Sequence, residues 1–263
     1  MDLGLKGKVA IVTGGSEGIG KAAAQSMAAE GALVAICARR LDVLEKAAKE
    51  IRAATGGEVL AVQADMSKAD GVKALFDKVV GAYGGVDILV NNAGTSAAGY
   101  FEEITDDVWQ ADLDLKLFGA IRCSRAAIPI MKIRGGGRII NVTNLGAKAP
   151  GARSVPTSVS RAAGVALTKA MSKDYAADNI LVNTVCIGLI KSGQHERRWE
   201  GQHETNADLT LDAWYDDMGD RVPLGRVGEA QEAGDVIAFL ASARASYLTG
   251  IAVNIDGGTS TVV

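Results

Sequence analysis

The chain has 263 residues, of which 48% are hydrophobic and 22% are charged, and its formal net charge at pH 7 is −3. This composition is typical of a globular protein with a sizeable core and excludes a disordered chain. The small net charge and the absence of long Lys or Arg blocks argue against a nucleic-acid partner.

The N-terminal residues MDLGLKGKVAIVTGG lack the basic start and long apolar run of a signal peptide. No apolar stretch reaches about 18 residues, so we expect no membrane span. The three cysteines, Cys37, Cys123 and Cys186, lie in apolar surroundings and no pair of them has metal-ligand spacing. We therefore expect a cytoplasmic protein with reduced, buried thiols and no metal.

Short apolar runs alternate with longer amphipathic segments along the chain. Near-continuous Val, Ile and Leu predict buried strands at 8–14, 32–38, 58–65, 86–92, 137–143, 180–186 and 251–256. Helical periodicity predicts helices at about 18–30, 41–54, 67–83, 106–132, 155–177 and 229–241. This alternation indicates βαβ units. We expect an α/β fold, with residues 1–263 forming a single doubly wound Rossmann domain around a seven-stranded parallel sheet.

One polar segment, residues 191–227, interrupts the alternation between the last two predicted strands. It carries Trp199, Trp214 and Tyr215 among many charged residues. A long excursion at the carboxyl end of a strand often closes over a ligand, so the segment predicts a substrate lid. The alternative is a solvated helical hairpin that uses its aromatic side chains for packing.

The first predicted helix follows a glycine-rich turn, TGGSEGIG at residues 13–20. Gly14 permits the tight turn, Gly18 lets the backbone approach a pyrophosphate, and Gly20 lets the helix pack near the strand. The helix start offers free N–H groups and a positive dipole end to phosphates. The strand before and the helix after support a dinucleotide site. The loop residues expected at the cofactor are Gly14, Ser16, Glu17, Gly18, Ile19 and Gly20.

Arg39 and Arg40 follow the second predicted strand, at the place where an acidic residue would hold the ribose 2′-hydroxyl of NAD. A guanidinium there favours the 2′-phosphate of NADP through charge-assisted hydrogen bonds, so we expect NADP. Glu17 argues for NAD instead, because a carboxylate in the phosphate loop would repel that phosphate. The two arginines are also compatible with ordinary solvated charges at a helix start, and NAD remains the alternative.

Taken together, these motifs resemble those of the short-chain dehydrogenase/reductase family nearly from end to end. The resemblance covers the glycine loop, Asp65 after the third strand, NNAG at residues 91–94 and NIDGG at residues 254–258. It implies that Asp65 and the next residue hold the adenine and that Ser192 replaces a Thr that bonds the nicotinamide carboxamide. The further cofactor residues implied are Asp65, Met66, Asn91, Ala93, Gly94, Arg161, Gly188, Ile190 and Ser192.

The family's catalytic positions carry other residues in this chain. The resemblance places Lys116, Asn144, Thr157 and Arg161 where the family has Asn, Ser, Tyr and Lys. In the family the Ser polarises the substrate oxygen, the Tyr supplies the proton, and the Lys lowers the Tyr pKa and bonds the ribose. Asn144 can still donate to an oxygen and Arg161 can still bind ribose hydroxyls. Thr157 is far weaker as an acid than a phenol.

Elimination leaves Lys116 as the replacement acid, because lysine pKa values fall readily on desolvation or beside another cation. The alternative is an ordinary helix ion pair with Asp112, four residues earlier. His195 and His203 lie in the predicted lid and titrate in a suitable range, although most such histidines are solvated. The other hydroxyl groups considered are Tyr175, Tyr247, Ser154, Ser158 and Ser160.

The sequence thus predicts an NADP-dependent oxidoreductase that interconverts a carbonyl and an alcohol on a small molecule with a non-standard catalytic set. The alternatives are a catalytically silent nucleotide-binding subunit that pairs with an active homologue, and a non-redox enzyme that reuses the pocket. The helices at 106–132 and 155–177 carry apolar residues on more than one face. Members of the family that the chain resembles bury such helices against a second copy, so the resemblance implies a homotetramer, with a hetero-oligomer as the alternative.

Overall fold

The computed structural model describes all 263 residues, and its centre is one sheet of seven strands. The strands are β1 (Val9–Thr13), β2 (Leu33–Ala38), β3 (Val59–Gln63), β4 (Ile88–Asn91), β5 (Gly137–Asn144), β6 (Ile180–Ile187) and β7 (Ala252–Ile255). All neighbouring strands are parallel, in the order β3-β2-β1-β4-β5-β6-β7. The predicted doubly wound α/β fold and its seven strands are confirmed.

Nine α-helices accompany the sheet. They are α1 (Gly18–Ala29), α2 (Leu41–Thr55), α3 (Ala69–Tyr83), α4 (Asp106–Leu113), α5 (Gly119–Ile133), α6 (Thr157–Asp174), α7 (Gly193–His203), α8 (Leu211–Gly219) and α9 (Ala230–Ala241). A π-helical turn, Asp114–Phe118, joins α4 to α5, so the helix predicted at 106–132 is continuous but not uniform. None of the helices combines the length and apolar character needed to cross a membrane.

The sheet is covered on both faces, which explains the near-continuous apolar strands. Helices α1, α2 and α9 pack on one face and form a core with Val12 and Ile36. Helices α3, α5 and α6 pack on the other face against Ile11 and Ala35. Successive strand residues point to opposite faces, and both faces are dry. All three cysteines are buried and free, and burial raises the pKa of the Cys37 thiol to about 12.

Asp87 ties three segments together at the amino end of the sheet. Its Oδ2 accepts hydrogen bonds from the Val9 amide and from Arg134 Nη2, both at 2.8 Å, and its Oδ1 accepts from Arg134 Nε at 2.9 Å. Burial alone would raise the pKa of this carboxyl, but the bonds from Arg134 and Val9 outweigh it and lower the pKa. The pair joins the start of β1 to the end of α5.

We predict that Asp87→Asn lowers the free energy of unfolding by about 1–3 kcal/mol, the scale for leaving a buried polar partner unsatisfied. Because the pKa of Asp87 is lower in the folded than in the unfolded state, its contribution is present at neutral pH. That contribution is lost as pH falls through the carboxylate range. Urea unfolding at pH 7 and pH 3.5 measures both effects.

The matched control is Asp178→Asn, which breaks a more exposed ion pair with Lys132 and is expected to change stability little. Equal losses in the two variants, or an undiminished pH dependence in Asp87→Asn, would contradict the assignment.

Candidate cofactor and catalytic site

A cleft of about 700 Å³ runs along the carboxyl ends of the parallel strands. Its wall includes Gly14 after β1, Arg39 after β2, Asp65 after β3, Asn144 at the end of β5 and Gly188 after β6. The chain leaves β1 and β4 in opposite directions across the sheet, so the cleft spans the switch point where open α/β sheets bind ligands.

The glycine loop has the shape that a pyrophosphate requires. Gly14 and Gly18 have φ of +65° and +54°, which side-chain-bearing residues rarely adopt. A Cβ on Gly14 would lie 2.9 Å from Ala93 Cα. Glu17, which precedes α1, provides no side-chain cap, so the first amides of the helix remain free for phosphate oxygens. The loop therefore fits a dinucleotide.

Asn92 holds this loop in place, a role that the sequence motif alone did not reveal. Its Nδ2 donates to the carbonyl oxygens of Thr13 and Gly14, both at 3.0 Å. Its backbone amide donates to Thr13 Oγ1 at 2.9 Å. The segment after β4 thus fixes the segment after β1 across the switch point.

Two of the residues expected at the cofactor do not line the cleft. A Cβ on Gly20 would lie 2.4 Å from Asn92 Nδ2 and from Gly14 O, so Gly20 serves close packing beneath the loop. Asn91 is buried in the sheet, where its Nδ2 donates to Asn141 Oδ1 at 2.9 Å. Both residues shape the site from below. The cofactor residues that do line the cleft are Gly14, Ser16, Glu17, Gly18, Ile19, Arg39, Arg40, Asp65, Met66, Ala93, Gly94, Arg161, Gly188, Ile190 and Ser192.

Positive charge predominates at the end of the cleft beyond β2. Arg40 pairs with Glu17 Oε2 at 2.9 Å, and Arg197 of α7 approaches the same oxygen at 3.4 Å. Arg39 and Arg198 also line this cleft. The Glu17 carboxylate is therefore neutralised, which removes the repulsion that the sequence suggested, and Arg39 has no carboxylate partner among the ion pairs.

A buried polar cluster closes the other end. Lys116 Nζ forms an ion pair with Asp112 and donates to Thr157 Oγ1 at 2.9 Å. Ser160 Oγ donates to Asp112 Oδ2 at 2.6 Å. The Lys116 and Asp112 side chains are each only 1% exposed. The ion pair expected as the alternative to a catalytic Lys116 is thus formed, and it is buried rather than solvated.

The π turn explains how Lys116 becomes buried. Its wider winding rotates the side chains of residues 114–118 relative to an α-helix. Burial first and the charge of Arg161 second lower the pKa of Lys116, and Asp112 opposes them, so that the pKa is about 8. Lys116 does not line the large cleft, whereas Thr157 does. In this conformation Lys116 lies behind Thr157 rather than on the cleft wall, and its role as the acid stays a prediction.

Arg161 and Asn144 complete this end of the cleft. Arg161 Nη1 donates to Val142 O at 2.6 Å. A Cβ on Gly94 would lie 2.5 Å from Arg161 Nη2, so only glycine allows the guanidinium this position. Burial lowers the pKa of Arg161 to about 10, which leaves it charged at neutral pH. Arg161 Nε and Asn144 Oδ1 are buried without a hydrogen-bond partner, which suits polar ligand groups.

Of the other titratable residues considered from the sequence, some line the cleft and others lie away from it. His195 lines the cleft, and burial together with Arg198 lowers its pKa. His203 instead stacks on Trp199 with ring centroids 4.9 Å apart. Tyr175 lies beneath Lys132 at the end of α6, and Tyr247 is fully exposed. None of these last three side chains lines the cleft.

The segment at 191–227 combines features of both interpretations made from its sequence. It forms α7 and α8, and Tyr215, Met218 and Val227 make a small core of their own. The first turn of α7 lines the cleft, and Gln194 Nε2 donates to Thr95 Oγ1 at 3.3 Å. The segment is a helical hairpin in structure, and one end of it is a wall of the site.

Comparison with known proteins decides the family. The profile of the short chain dehydrogenase family matches residues 8–203. The chain belongs to the short chain dehydrogenase family. The 3-oxoacyl-(acyl-carrier-protein) reductase FabG of Thermotoga maritima is 34% identical over 257 residues, which are 97% of this chain and 98% of that protein.

Solved structures agree with this membership. L-sorbose reductase from Gluconobacter frateurii, complexed with NADPH and L-sorbose, has a TM-score of 0.95 and 34% identity with full coverage of both chains. An NADPH-bound short chain oxidoreductase from Pseudomonas aeruginosa, described as containing an atypical catalytic centre, has a TM-score of 0.89 and 36% identity. That match covers 97% of this chain and 98% of the other.

Proposed function

We propose that this protein is an NADPH-dependent oxidoreductase that interconverts a carbonyl and an alcohol on a small molecule. The observation that carries the proposal is the shape of one continuous cleft. A phosphate-binding glycine loop lies along it, and Asn144, Thr157 and Arg161 line it together, with Lys116 directly behind Thr157. Family membership supports the same reaction class.

NADPH is favoured over NADH by the charges beyond β2. Five arginines and two carboxylates, Glu17 and Asp65, line the cleft, and Glu17 is already paired. The unpaired Arg39 is the residue that we assign to the 2′-phosphate. Two structural relatives were solved with NADPH, which supports the same choice here.

The four catalytic positions have separate tasks in this proposal. The bound cofactor supplies the hydride. Asn144 donates a hydrogen bond through Nδ2 to the substrate oxygen and stabilises the negative charge that develops there. Arg161 binds the ribose hydroxyls and places positive charge near the reacting oxygen. Lys116 provides the proton, because Arg161 holds its own proton too firmly and an isolated threonine is too weak an acid.

The substrate side of the cleft is polar. Thr95, Ser96 and Gln194 line it beside the catalytic residues, which supports a small carbonyl compound with further hydroxyl groups. The segment at 191–227 is the lid over this substrate in our proposal. Purified protein should therefore oxidise NADPH with a ketose such as L-sorbose, and a 3-oxoacyl thioester provides the comparison suggested by the other relatives.

The four substitutions also favour a second candidate, a catalytically silent subunit. The test is a panel of carbonyl compounds offered to the wild type and to the double variant Thr157→Tyr/Arg161→Lys. Turnover by the double variant alone, with none by the wild type, would establish the silent subunit and overturn the enzyme proposal.

We predict that Arg39→Ala weakens NADPH binding by about 10- to 100-fold, the scale for a lost charge-assisted hydrogen bond. NADH affinity should change little, because NADH has no 2′-phosphate. Fluorescence titration of both cofactors measures the two dissociation constants. The control is Arg125→Ala, which removes an exposed arginine of α5 that does not line the cleft. A parallel loss for both cofactors, or none for either, would refute the assignment of Arg39.

We predict that Lys116→Met lowers kcat by about 10²- to 10⁴-fold, the usual scale for a removed general acid. NADPH affinity should remain, because Lys116 does not line the cleft. The substitution leaves Asp112 buried without its cation, so the double variant Asp112→Asn/Lys116→Met is measured beside it. Lys132→Met controls for loss of an exposed lysine. Full activity in both Lys116 variants would show that the proton has another source.

We propose that the protein is a homotetramer. Light scattering at micromolar concentration should therefore measure four times the mass of one chain. Val108 of α4, Phe118 of the π turn and Val159 of α6 are 37%, 40% and 46% exposed in the isolated chain. Apolar side chains on these neighbouring elements suit burial against a second copy. A monomeric mass in the absence and presence of NADPH would contradict this assembly.

A further inference from the structure

The hydroxyl of Thr157 has an unusual set of partners. Oγ1 accepts a hydrogen bond from Lys116 Nζ at 2.9 Å and a second from the Ala97 amide at 3.1 Å. A threonine hydroxyl has two lone pairs and one proton. Both lone pairs are therefore engaged, and the remaining capacity of this oxygen is to donate its own proton.

The protein offers that proton only a poor acceptor. Asp112 Oδ1 lies 3.4 Å from Thr157 Oγ1, and the same oxygen is already paired with Lys116 Nζ. A distance of 3.4 Å is long for a hydrogen bond between two oxygens, whose common distance is about 2.7–2.8 Å. A substrate oxygen in the cleft would be a better acceptor.

Thr157 also stands between the cleft and the lysine. Thr157 lines the cleft, while the Lys116 side chain is 1% exposed and lies behind it. The hydrogen bonds provide a path from the Lys116 ammonium group to the cleft, and this path runs through Thr157 Oγ1. Direct transfer from Lys116 to a substrate would require the π turn to move.

We propose that Thr157 is a proton relay between Lys116 and the substrate oxygen, with Asp112 as the residue that positions Lys116. This inference rests on the proposed carbonyl reduction and deepens it. As hydride from NADPH adds to the carbonyl carbon, the C=O π electrons move onto oxygen, which takes the Thr157 Oγ1 proton. Oγ1 takes a proton from the Lys116 ammonium group in the same step, so no free alkoxide forms. Water returns a proton to the neutral amine through the same hydroxyl after the alcohol product leaves.

The charges around Lys116 suit this role. Asp112 of α4 and Arg161 of α6 are the charged groups that face Lys116, and the Cys123 thiol of α5 lies on the same small internal cavity. Burial raises the pKa of Cys123, so the thiol is neutral. Burial and Arg161 keep the pKa of Lys116 near 8, close to the value that favours proton donation at neutral pH.

Asp112 acts through Lys116. Its Oδ2 accepts a hydrogen bond from Ser160 Oγ at 2.6 Å, which fixes the carboxylate and turns Oδ1 toward the ammonium group. Removing the charge with Asp112→Asn should lower the pKa of Lys116 further. Because Lys116 donates only when protonated, the fall of kcat at alkaline pH should shift to lower pH in that variant, an effect that loss of packing would not produce.

The decisive comparison is Thr157→Val against Thr157→Ser. Valine keeps the shape and removes the hydroxyl, so kcat should fall by at least about 100-fold, the lower scale for lost proton transfer. Serine keeps the hydroxyl and should keep kcat within a few fold. Ser158→Ala is the matched control, because Ser158 bonds Ser154 and does not line the cleft. NADPH dissociation constants, measured by fluorescence, should be similar in all four proteins.

Two measurements on the wild type make the test independent of whether the valine variant folds. Turnover in mixtures of H₂O and D₂O should depend on deuterium fraction with curvature, because two protons move in the relay. ¹⁵N-lysine NMR of the cofactor-free protein should contain one titrating signal near pH 8 that is missing from Lys116→Met. A linear dependence on deuterium, or full activity in Thr157→Val, would overturn the relay while leaving the reductase intact. Absence of turnover with every carbonyl compound would overturn the reductase itself and the relay with it.

Discussion

A charge buried without a partner costs several kcal/mol, and this cost governs the end of the cleft near Thr157. The Lys116 and Asp112 side chains are both almost fully buried, so each requires the other. Lys116 also donates a hydrogen bond to Thr157, and Asp112 also accepts one from Ser160, both residues of α6. The pair therefore locks the π turn, α4 and α6 into one arrangement, and the same arrangement places a hydroxyl on the wall of the cleft.

A second cation lies nearby and makes the balance asymmetric. Arg161 approaches through the space left by Gly94, where any side chain would collide with the guanidinium. Two cations, Lys116 and Arg161, then lie near one carboxylate, that of Asp112. Lys116 is the cation that loses its proton more readily, because an ammonium group holds its proton less firmly than a guanidinium. The depressed pKa of Lys116 thus follows from burial first and from this excess of positive charge second.

The fold was predictable because strands covered on both faces must be apolar throughout, and helices between parallel strands must be amphipathic. The glycine loop was predictable for an equally local reason, since positive φ at Gly14 and Gly18 requires glycine. The neutralisation of Glu17 could not be predicted from the sequence, because Arg197 is distant along the chain and is brought close only by α7. The family resemblance placed both Lys116 and Thr157 among the candidate catalytic residues, but it could not show that one lies behind the other.

The order of those two residues changes the chemical interpretation of the whole site. A phenol on the wall of a cleft can both contact a substrate and act as an acid. An aliphatic hydroxyl can contact the substrate but is too weak an acid by itself. In the proposed relay the arrangement around Thr157 separates the two properties, with Lys116 as the acid and Thr157 as the group that contacts the substrate. Such a separation keeps the acid in a dry environment, where burial and neighbouring charges set its pKa, and it requires only that the hydroxyl have both lone pairs filled. The amide of Ala97 meets that requirement from the loop after β4. That loop therefore determines the direction in which the Thr157 proton points.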